Sequence, residues 1–402
     1  MYLRDLLTEE QNDIRQMIRK FVDKEIMPIR EKLEEDYGLV ESVLQKLVDL
    51  GIQRIGYPEE YGGEGNHSTT TVCIIREELA RGDAGISLSA VINGGSILKP
   101  AIAAGNKAVL DRFVPAFCGR KLNYACLSMT DSTGGADTEN PLLRGKYVTT
   151  RARLEGDEWV INGNKSWPTH AGISSVYLTV CTTDPNLGDE GIALIYVPGD
   201  AKGLSFGKPE KKMGFKTSVN GSIFYDNVRV PKEFRLSGPG DDGRFYHATM
   251  ASSQLSSATI SLGIAQAAFD IALDYTKDRI SGGKPVREWS MAAGILADMA
   301  IRVETTRALV YNFAWMADHR DKYGPSYTNE MISKAGIIRI YAADAAVWVA
   351  DMAMQLLGSN GLSPEYHLEK YLRDAKITQL WLGGQQVSRY RVVRGYYDYT
   401  VE

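Results

Sequence analysis

The segment Trp167-Pro168-Thr169-His170 carries side chains that suit a flat redox cofactor. A ring system that accepts a hydride needs one apolar wall and one oriented hydrogen-bond donor, and a tryptophan followed by a threonine at a strand end offers both. The alternative is that Trp167 is a buried core side chain. His170 could carry a proton near such a ring or simply lie at the surface. The combination favours a cofactor site.

Arg279 ends a predicted helix and is followed by Ser281-Gly282-Gly283. Its guanidinium is planar and permanently charged, and is therefore well suited to phosphate oxygens. An arginine in the last turn of a helix also complements the helix dipole with no ligand at all. The residues alone leave both roles open.

The stretch over residues 354–386 combines a Gly-rich turn, an Arg-Asp-Ala segment and an aromatic element. These are Gly358-Ser359-Asn360-Gly361, Arg373-Asp374-Ala375 and Trp381-Leu382-Gly383-Gly384. The combination resembles the C-terminal signature of the acyl-CoA dehydrogenases. That family also has the order of helical domain, β domain and helical bundle that the patterns below predict, so the resemblance covers nearly all of the 402 residues.

The resemblance implies FAD as the cofactor. Residues 126–137 are similar to the family's Thr-Glu-Pro-Gly-Ala-Gly-Ser-Asp element, which contacts the flavin ring, although Ala136 stands where the family has serine. The Trp167 segment resembles the family's Trp-Ile-Thr-Asn, and Arg279 would reach the FAD pyrophosphate of a neighbouring subunit. The cofactor-binding residues implied in this way are Met129, Thr130, Trp167, Thr169, Arg279, Ser281, Gln355, Ser359 and Gln386.

The usual catalytic base of the family is missing from this sequence. Leu382 stands where most members place the carboxylate that removes the substrate α-proton, and Ser253 occupies the second position that can host it. Neither side chain can act as a general base near neutral pH. The catalytic residue is therefore unassigned, with His170 and Asp131 as the remaining candidates.

The family's acyl pocket is floored by the helix that here covers residues 86–95. Some members draw the proton with an aspartate reached from this helix, but no acid lies between Ile86 and Leu98, and Asp83 fits an N-cap better. Gly94-Gly95 could either widen the pocket for a bulky acyl group or allow close helix packing. The predicted substrate contacts are Ser87, Val91, Ile92, Ser253, Gln254, Leu382 and Gly383.

Composition excludes several classes of partner. The net charge of −4 and the lack of a long basic block disfavour nucleic acid and anionic membrane surfaces. The four cysteines lack C-x-x-C spacing and fit reduced thiols, while the five histidines are scattered and predict no metal site. Because we find neither a signal segment nor a run of 18 apolar residues, we expect a cytoplasmic protein without membrane insertion.

Periodicity predicts mainly α structure with a central β domain. A Thr8-x-x-Gln11 capping box begins the first helix, and further helices are expected over residues 39–50, 70–80 and 86–98. Strands are expected over 147–154, 159–161, 176–182, 191–197 and 222–230, with Asn162-Gly163 as hairpin punctuation. Long helices follow over 246–279, 290–320 and 328–357. We predict an N-terminal helical domain (1–122), a middle antiparallel β-barrel (123–238) and a C-terminal four-helix bundle (239–402).

The leading hypothesis is an FAD-dependent dehydrogenase that acts on an atypical, bulky or cyclic acyl-CoA thioester. Its hydride would pass to flavin N5 and then to an electron-transfer flavoprotein, as the resemblance implies. The alternatives are a flavoprotein that performs an elimination, lyase-like or reductive step, and a catalytically silent FAD-binding subunit paired with an active paralogue. The long Ala-rich helices predict a homotetramer, built as a dimer of dimers, or a heteromer with that paralogue.

Overall fold

The structure is a computed structural model that describes residues 7–65, 67–132 and 148–397. Ala136 and the rest of the predicted cofactor segment beyond Ser132 lie outside the described residues.

The first part of the chain is helical, as predicted. Its helices are α1 Glu9–Phe21, α2 Arg30–Leu33, α3 Tyr37–Asp49, α4 Thr69–Gly82, α5 Ala84–Val91, α6 Lys99–Ala104 and α7 Lys107–Cys118. The capping box is confirmed, because Thr8 Oγ1 accepts from the Gln11 backbone N–H at 3.2 Å while Gln11 Oε1 accepts from the Thr8 N–H at 3.1 Å. Asp83 caps α5 by accepting from the Ile86 N–H at 2.9 Å.

The helix expected over residues 86–98 is interrupted. It leaves α-helical geometry after Val91, passes through a π turn over Ile92–Ser96 and reaches a φ of 110° at Gly95. A Cβ atom on Gly56 would lie 2.5 Å from the carbonyl oxygen of Gly94, so the two backbones touch. The paired glycines therefore serve close packing, which decides between the two roles that the sequence left open.

A single curled sheet fills the middle of the chain. Its strands are β1 Ala125–Ser128, β2 Arg151–Glu155, β3 Glu158–Lys165, β4 Val176–Thr182, β5 Ile192–Pro198, β6 Leu204–Phe206 and β7 Ile223–Pro231. The order is β1-β4-β2-β3-β7-β6, with β5 also paired to β4. The expected antiparallel arrangement is corrected, because β4 runs parallel to β1 and, at the Arg151–Thr182 pair, to β2, so the sheet is mixed. The β2–β3 hairpin lies between β1 and β4 in sequence.

The Asn162-Gly163 pair does not form a turn. β3 continues through it, and the register with β7 shifts between Ile161 and Gly163. Gly163 has a φ of 143°, and a Cβ atom there would lie 2.7 Å from Thr150 Cα. The glycine therefore marks a bulge under close backbone contact, a role that glycine in a strand interior often has.

Helices dominate again after the sheet, and the long helices are confirmed. They are α8 Asp241–Asp278, α9 Ser290–Asp318, α10 Arg320–Tyr323, α11 Asn329–Leu357, α12 Leu368–Leu380 and α13 Gly384–Val393, with the small hairpin β8 Ile280–Ser281 and β9 Lys284–Pro285 between α8 and α9. Alanines at helical spacing on α11, such as Ala342, Ala346, Ala350 and Ala353, are buried in one core with α8 and α9. Small side chains let these helix axes approach closely.

By length and mean hydropathy, two described segments could cross a membrane, Ala84–Ala104 and Asp241–Asp278. Within the fold, 61% and 72% of their apolar windows are buried. Core helices of a globular fold meet the same criteria, so this is weak evidence for a membrane span.

Candidate active site

A cavity of about 830 Å³ lies where the sheet meets the helices. One wall is formed by the residues that follow β1 and β3, and the facing wall by α8 and the loop between α12 and α13. A further part extends between α4, α6 and the α9–α10 junction. Trp167 and Leu382, which are far apart in sequence, both line it.

The sheet side of the cavity carries the predicted flavin contacts. Met129, Thr130, Trp167 and Thr169 all line the wall. Trp167 is 54% exposed and has a φ of 68°, which is a rare backbone conformation for a bulky residue and is typical of functional sites. The side-chain N–H of Asn220 donates to the Trp167 carbonyl at 2.6 Å and to Thr169 Oγ1 at 3.2 Å. This wall offers an open indole and an oriented hydroxyl, and so fits a planar cofactor.

Asp131 supports this wall from behind. It is buried, pairs with Lys165 Nζ at 2.8 Å and accepts from the Thr149 N–H at 2.9 Å. Lys165 also donates to the Met129 carbonyl at 2.7 Å. Because Asp131 does not line the cavity and its oxygens are engaged, its position contradicts a role as the base and makes it a positioning residue for Met129 and Thr130.

His170 is buried on the far side of the same segment. One ring nitrogen, Nε2, lies 2.8 Å from Ser89 Oγ, and the other, Nδ1, lies 3.0 Å from the Ala125 carbonyl. Burial lowers the pKa of His170 to about 4, so the ring is neutral at neutral pH. It does not line the cavity, and neither predicted role holds: it is neither at the surface nor placed to carry a substrate proton.

The facing wall presents Leu382 to the cavity. Its φ is 52°, and Gly383 and Gly384 follow with φ of 76° and 69°. Trp381 anchors the loop: its ring meets Phe215 edge-on at 5.0 Å, and its backbone carbonyl accepts from Arg339. The loop is therefore fixed by its neighbours on both sides, with Leu382 at its tip.

Ser253 lines the same wall, but its hydroxyl donates to the Thr249 carbonyl at 2.8 Å. Within the part of the chain that the structure describes, no aspartate, glutamate or histidine lines the cavity. A carboxylate positioned for α-proton removal is thus absent from the described wall.

Three predicted substrate contacts are not on the cavity wall. Ser87 donates to the Arg76 carbonyl at 2.8 Å, and Val91 of α5 and Gln254 of α8 are buried. Val91 and Gln254 are thus packed inside the fold, whereas their sequence neighbours Ile92 and Ser253 line the cavity. The contacts that do line the wall are Ile92, Ser253, Leu382 and Gly383.

The remaining cofactor candidates lie away from this cavity and are exposed. Arg279 and Ser281 end α8 and form the β8–β9 hairpin, and Gln355 and Ser359 lie close by, since Asn360 Nδ2 donates to Tyr275 Oη at 2.9 Å. Gln386 lies on α13. At 1.5 Å per residue, Arg279 is about 39 Å along α8 from Ser253. A cofactor held at Trp167 therefore cannot reach Arg279 of the same chain.

Sequence reasoning missed the basic residues of the cavity. Arg76, Lys99, Lys211, Lys212 and Arg320 line it. Arg76 could have been noticed, because it interrupts the apolar stripe of α4 at helical spacing from Cys73 and Ala80. Burial lowers the pKa of Lys212 to about 8, but its ammonium donates to Ser218 O at 2.6 Å and Asn220 Oδ1 at 2.5 Å, which commits it to the loop.

No group of three or more His, Cys, Asp or Glu side chains suited to a metal occurs among the described residues. The four cysteines are free thiols.

Comparison with known proteins agrees with this geometry over the length of the chain. The N-terminal, middle and C-terminal domains of the acyl-CoA dehydrogenases match residues 8–121, 126–228 and 243–397. A probable acyl-CoA dehydrogenase of Mycobacterium tuberculosis is 34% identical over 95% of this chain and 94% of its own. The cyclohex-1-ene-1-carbonyl-CoA dehydrogenase of Geobacter metallireducens is 32% identical over 95% and 97%.

Among solved structures, butyryl-CoA dehydrogenase from Megasphaera elsdenii superposes with a TM-score of 0.86 at 28% identity, covering 96% of this chain and 98% of its own. The chain therefore belongs to the acyl-CoA dehydrogenase family, the flavoprotein oxidoreductases that act on CH–CH bonds with FAD.

Proposed function

We propose that this enzyme oxidises a bulky or cyclic acyl-CoA thioester rather than a straight-chain saturated one. The observation that carries the proposal is the described cavity wall, in which Leu382 and Ser253 stand at the two expected base positions and no carboxylate lines the rest. A saturated thioester needs a placed base for its α-proton. In a ring thioester whose double bond is conjugated with the carbonyl, the departing proton is more acidic, so water can accept it with less need of a placed base.

The shape of the wall also suits a ring. From α8 only small side chains reach the cavity between Phe245 and Leu255, namely Ala248, Thr249, Ser252 and Ser253. Leucine at position 382 replaces a charged group with an apolar one. The wall next to the reaction centre is therefore built from small side chains and Leu382, which leaves room for a bulky group, and the Geobacter relative is named for a cyclic substrate.

FAD would supply the hydride acceptor, the flavin N5. Trp167 would provide an apolar face for the flavin ring, and the Thr169 hydroxyl, which accepts from Asn220, would have its own hydrogen free to donate to the cofactor. The Lys165–Asp131 pair holds the Met129-Thr130 backbone in line. Electrons leave to an electron-transfer flavoprotein in this proposal.

We further propose that the FAD lies across an interface between two chains. The support is the separation along α8: the Trp167 wall would hold the flavin of one chain, and the exposed Arg279 of another chain would meet the pyrophosphate. Ser281, Gln355, Ser359 and Gln386 are exposed in the single chain, as such a contact requires. A dimer of dimers satisfies this arrangement.

The test is anaerobic bleaching of the flavin. The purified yellow protein is mixed with cyclohex-1-ene-carbonyl-CoA, cyclohexane-carbonyl-CoA or butyryl-CoA, and the loss of flavin absorbance is followed by stopped flow. We expect bleaching with a cyclic thioester at least about 100-fold faster than with butyryl-CoA, the scale of one missing general base. Faster bleaching with butyryl-CoA would contradict the proposal.

The carboxylate-free wall also favours a second candidate, the reduction of an enoyl thioester by reduced flavin, in which hydride would pass to the β-carbon and water would supply the α-proton. In that case the oxidised flavin stays yellow with every saturated thioester, while flavin reduced with dithionite reoxidises when an enoyl thioester is added and the saturated ester forms. Mass spectrometry of the CoA esters separates the two.

A further inference from the structure

One end of the cavity is strongly positive. This basic end is formed by Arg76 of α4, Lys99 of α6 and Arg320 of α10, which all line the cavity, together with Thr69 and Ser96. The stretch that links it to the reaction centre is lined by Leu88, Ile92, Ile97, Leu255 and Phe313. An apolar passage that ends on cations fits a carbon chain or ring with a negative group at its far end.

Arg76 is the least satisfied of these cations. It is 6% exposed, its Nε has no hydrogen-bond partner, and its guanidinium forms no ion pair with any described residue. Burial lowers its pKa to about 10. Arginine is almost never buried without a partner, because removing its charge from water is costly. A buried guanidinium that faces a cavity and has no partner indicates an anionic ligand.

The surrounding charges do not neutralise it. Neither Lys99 nor Arg320 forms an ion pair with the described residues. The nearby carboxylate of Asp318 is engaged at the start of α4, where it accepts from the backbone N–H of Thr69 at 2.6 Å and of Thr70 at 3.1 Å. The pKa of Lys99 is lowered, first by desolvation and then by repulsion from Arg320. The attraction of Asp318 raises this pKa but does not offset the other two effects.

The helix register places this end beyond the reaction centre. α4 and α8 run in the same direction, since Thr259 Oγ1 meets Cys73 Sγ at 3.6 Å and Gly263 meets Ala80. Arg76 lies between Cys73 and Ala80, so it is level with the part of α8 between Thr259 and Gly263. Ser253 lines the cavity together with the Trp381 loop. Ser252 and Ser256 are rotated from Ser253 in the same direction around the helix, by about 100° and about 60°. A thioester at Leu382 would pass this edge to reach Arg76.

We propose that the basic end binds a carboxylate at the far end of the acyl group, so that the substrate is the mono-CoA ester of a dicarboxylic acid. The planar guanidinium of Arg76 would hold the carboxylate through two parallel hydrogen bonds, with Lys99 and Arg320 adding charge. This inference rests on the proposed function, because it assumes that the thioester lies at Leu382.

The experiment measures equilibrium binding to the FAD-loaded enzyme by calorimetry, which does not depend on turnover. Two matched pairs are compared: hexanoyl-CoA with adipoyl-CoA, and cyclohexane-carbonyl-CoA with its 4-carboxy derivative. We expect the carboxylated partner of at least one pair to bind roughly 10- to 100-fold more tightly, as charge-assisted hydrogen bonds in a closed site do. Arg76→Leu and Lys99→Met should remove that preference, while the exposed control Arg112→Leu keeps it.

Equal affinity within both pairs for the wild-type protein would overturn the inference even if a variant fails to fold. Binding of free CoA and dephospho-CoA tests whether the basic end holds a phosphate of CoA instead. If Arg76→Leu weakens the binding of free CoA as much as that of the dicarboxylate esters, the basic end binds a CoA phosphate and the inference is wrong. If no thioester of either kind binds, the proposed function itself fails. Tight binding of thioesters without a carboxylate preference refutes only the inference.

Discussion

The indole Nε1 of Trp381 donates to Ser257 Oγ at 2.6 Å, which ties the loop carrying Leu382 to the middle of α8. Ser257 is 1% exposed, so the bond is shielded from water. Two segments more than a hundred residues apart are thereby held at one distance across the cavity. This bond therefore helps to fix the position of residue 382, together with the backbone of its own loop.

Replacing Ser257 with alanine should destabilise the protein, because it leaves the indole N–H without a partner. The expected loss is about 1–3 kcal/mol in the free energy of unfolding. Urea denaturation followed by tryptophan fluorescence measures it. The exposed Ser205→Ala on β6 serves as the control and should change stability little. Equal midpoints for both variants would show that the bond contributes nothing.

Leu382→Glu should create ordinary α,β-dehydrogenation of butyryl-CoA. It places a carboxylate at the loop tip, and the apolar cluster that Leu382 packs against would raise the pKa of that carboxylate toward neutrality. Dye reduction with butyryl-CoA should rise at least about 100-fold over wild type. Leu362→Glu, at a position 68% exposed and off the cavity wall, is the control and should gain nothing. Rapid butyryl-CoA oxidation by the wild-type enzyme would mean that another residue supplies the base.

Acidification should destabilise the fold through His170. The pKa of His170 in the folded protein, about 4, lies below the ordinary histidine value of 6.5, so the unfolded chain binds the extra proton first as the pH falls. Stability is therefore retained above about pH 6.5 and lost as the pH falls to about 4, by about 3 kcal/mol for this residue. Unfolding curves at a series of pH values should show a shallower loss for His170→Gln than for wild type.

Arg279→Ala should weaken FAD retention if the dinucleotide spans two chains. The protein is passed through gel filtration and its flavin content is read from the ratio of visible to ultraviolet absorbance. We expect a lower ratio for the variant and an unchanged one for Lys277→Ala, a neighbouring exposed residue. Full flavin retention by Arg279→Ala would place the pyrophosphate elsewhere.

The oligomeric state gives an independent check on the same arrangement. A dimer of dimers of the 44.4 kDa chain should appear in mass photometry as a particle of four chains. A species at the monomer mass alone, with FAD still bound, would contradict the interchain site.

The sequence predicted the long helices and the fully buried strand β4 well, because their patterns are long and regular. The predictions that Thr8 and Asp83 are helix N-caps were confirmed, because a cap depends only on residues close by in sequence. Gly163 was misread, since a glycine that relieves contact with Thr150 looks the same in sequence as one in a turn. The break after Val91 was hidden for the same reason: the close approach of Gly56 is a tertiary contact.

The site divides along similar lines. Trp167, Thr169, Ile92 and Leu382 were placed on the cavity wall from motif resemblance, whereas Ser87, Val91 and Gln254 were assigned without the angular position of each residue on its helix. His170 and Asp131 were candidates only by residue type, and their partners occupy them fully. Arg76 was overlooked because its lack of a counter-charge becomes visible only when every neighbouring carboxylate has a known partner.

Leu382, Gly383 and Gly384 lie consecutively in the left-handed region, where leucine is disfavoured by roughly 1–2 kcal/mol relative to glycine. The loop keeps this conformation because Trp381 is bonded on both sides, to Ser257 and to Arg339. The backbone conformation of the loop is thus set independently of the side chain at position 382. The residue at this position can therefore be exchanged, and the chemistry of the site changed with it, while the rest of the fold keeps its structure.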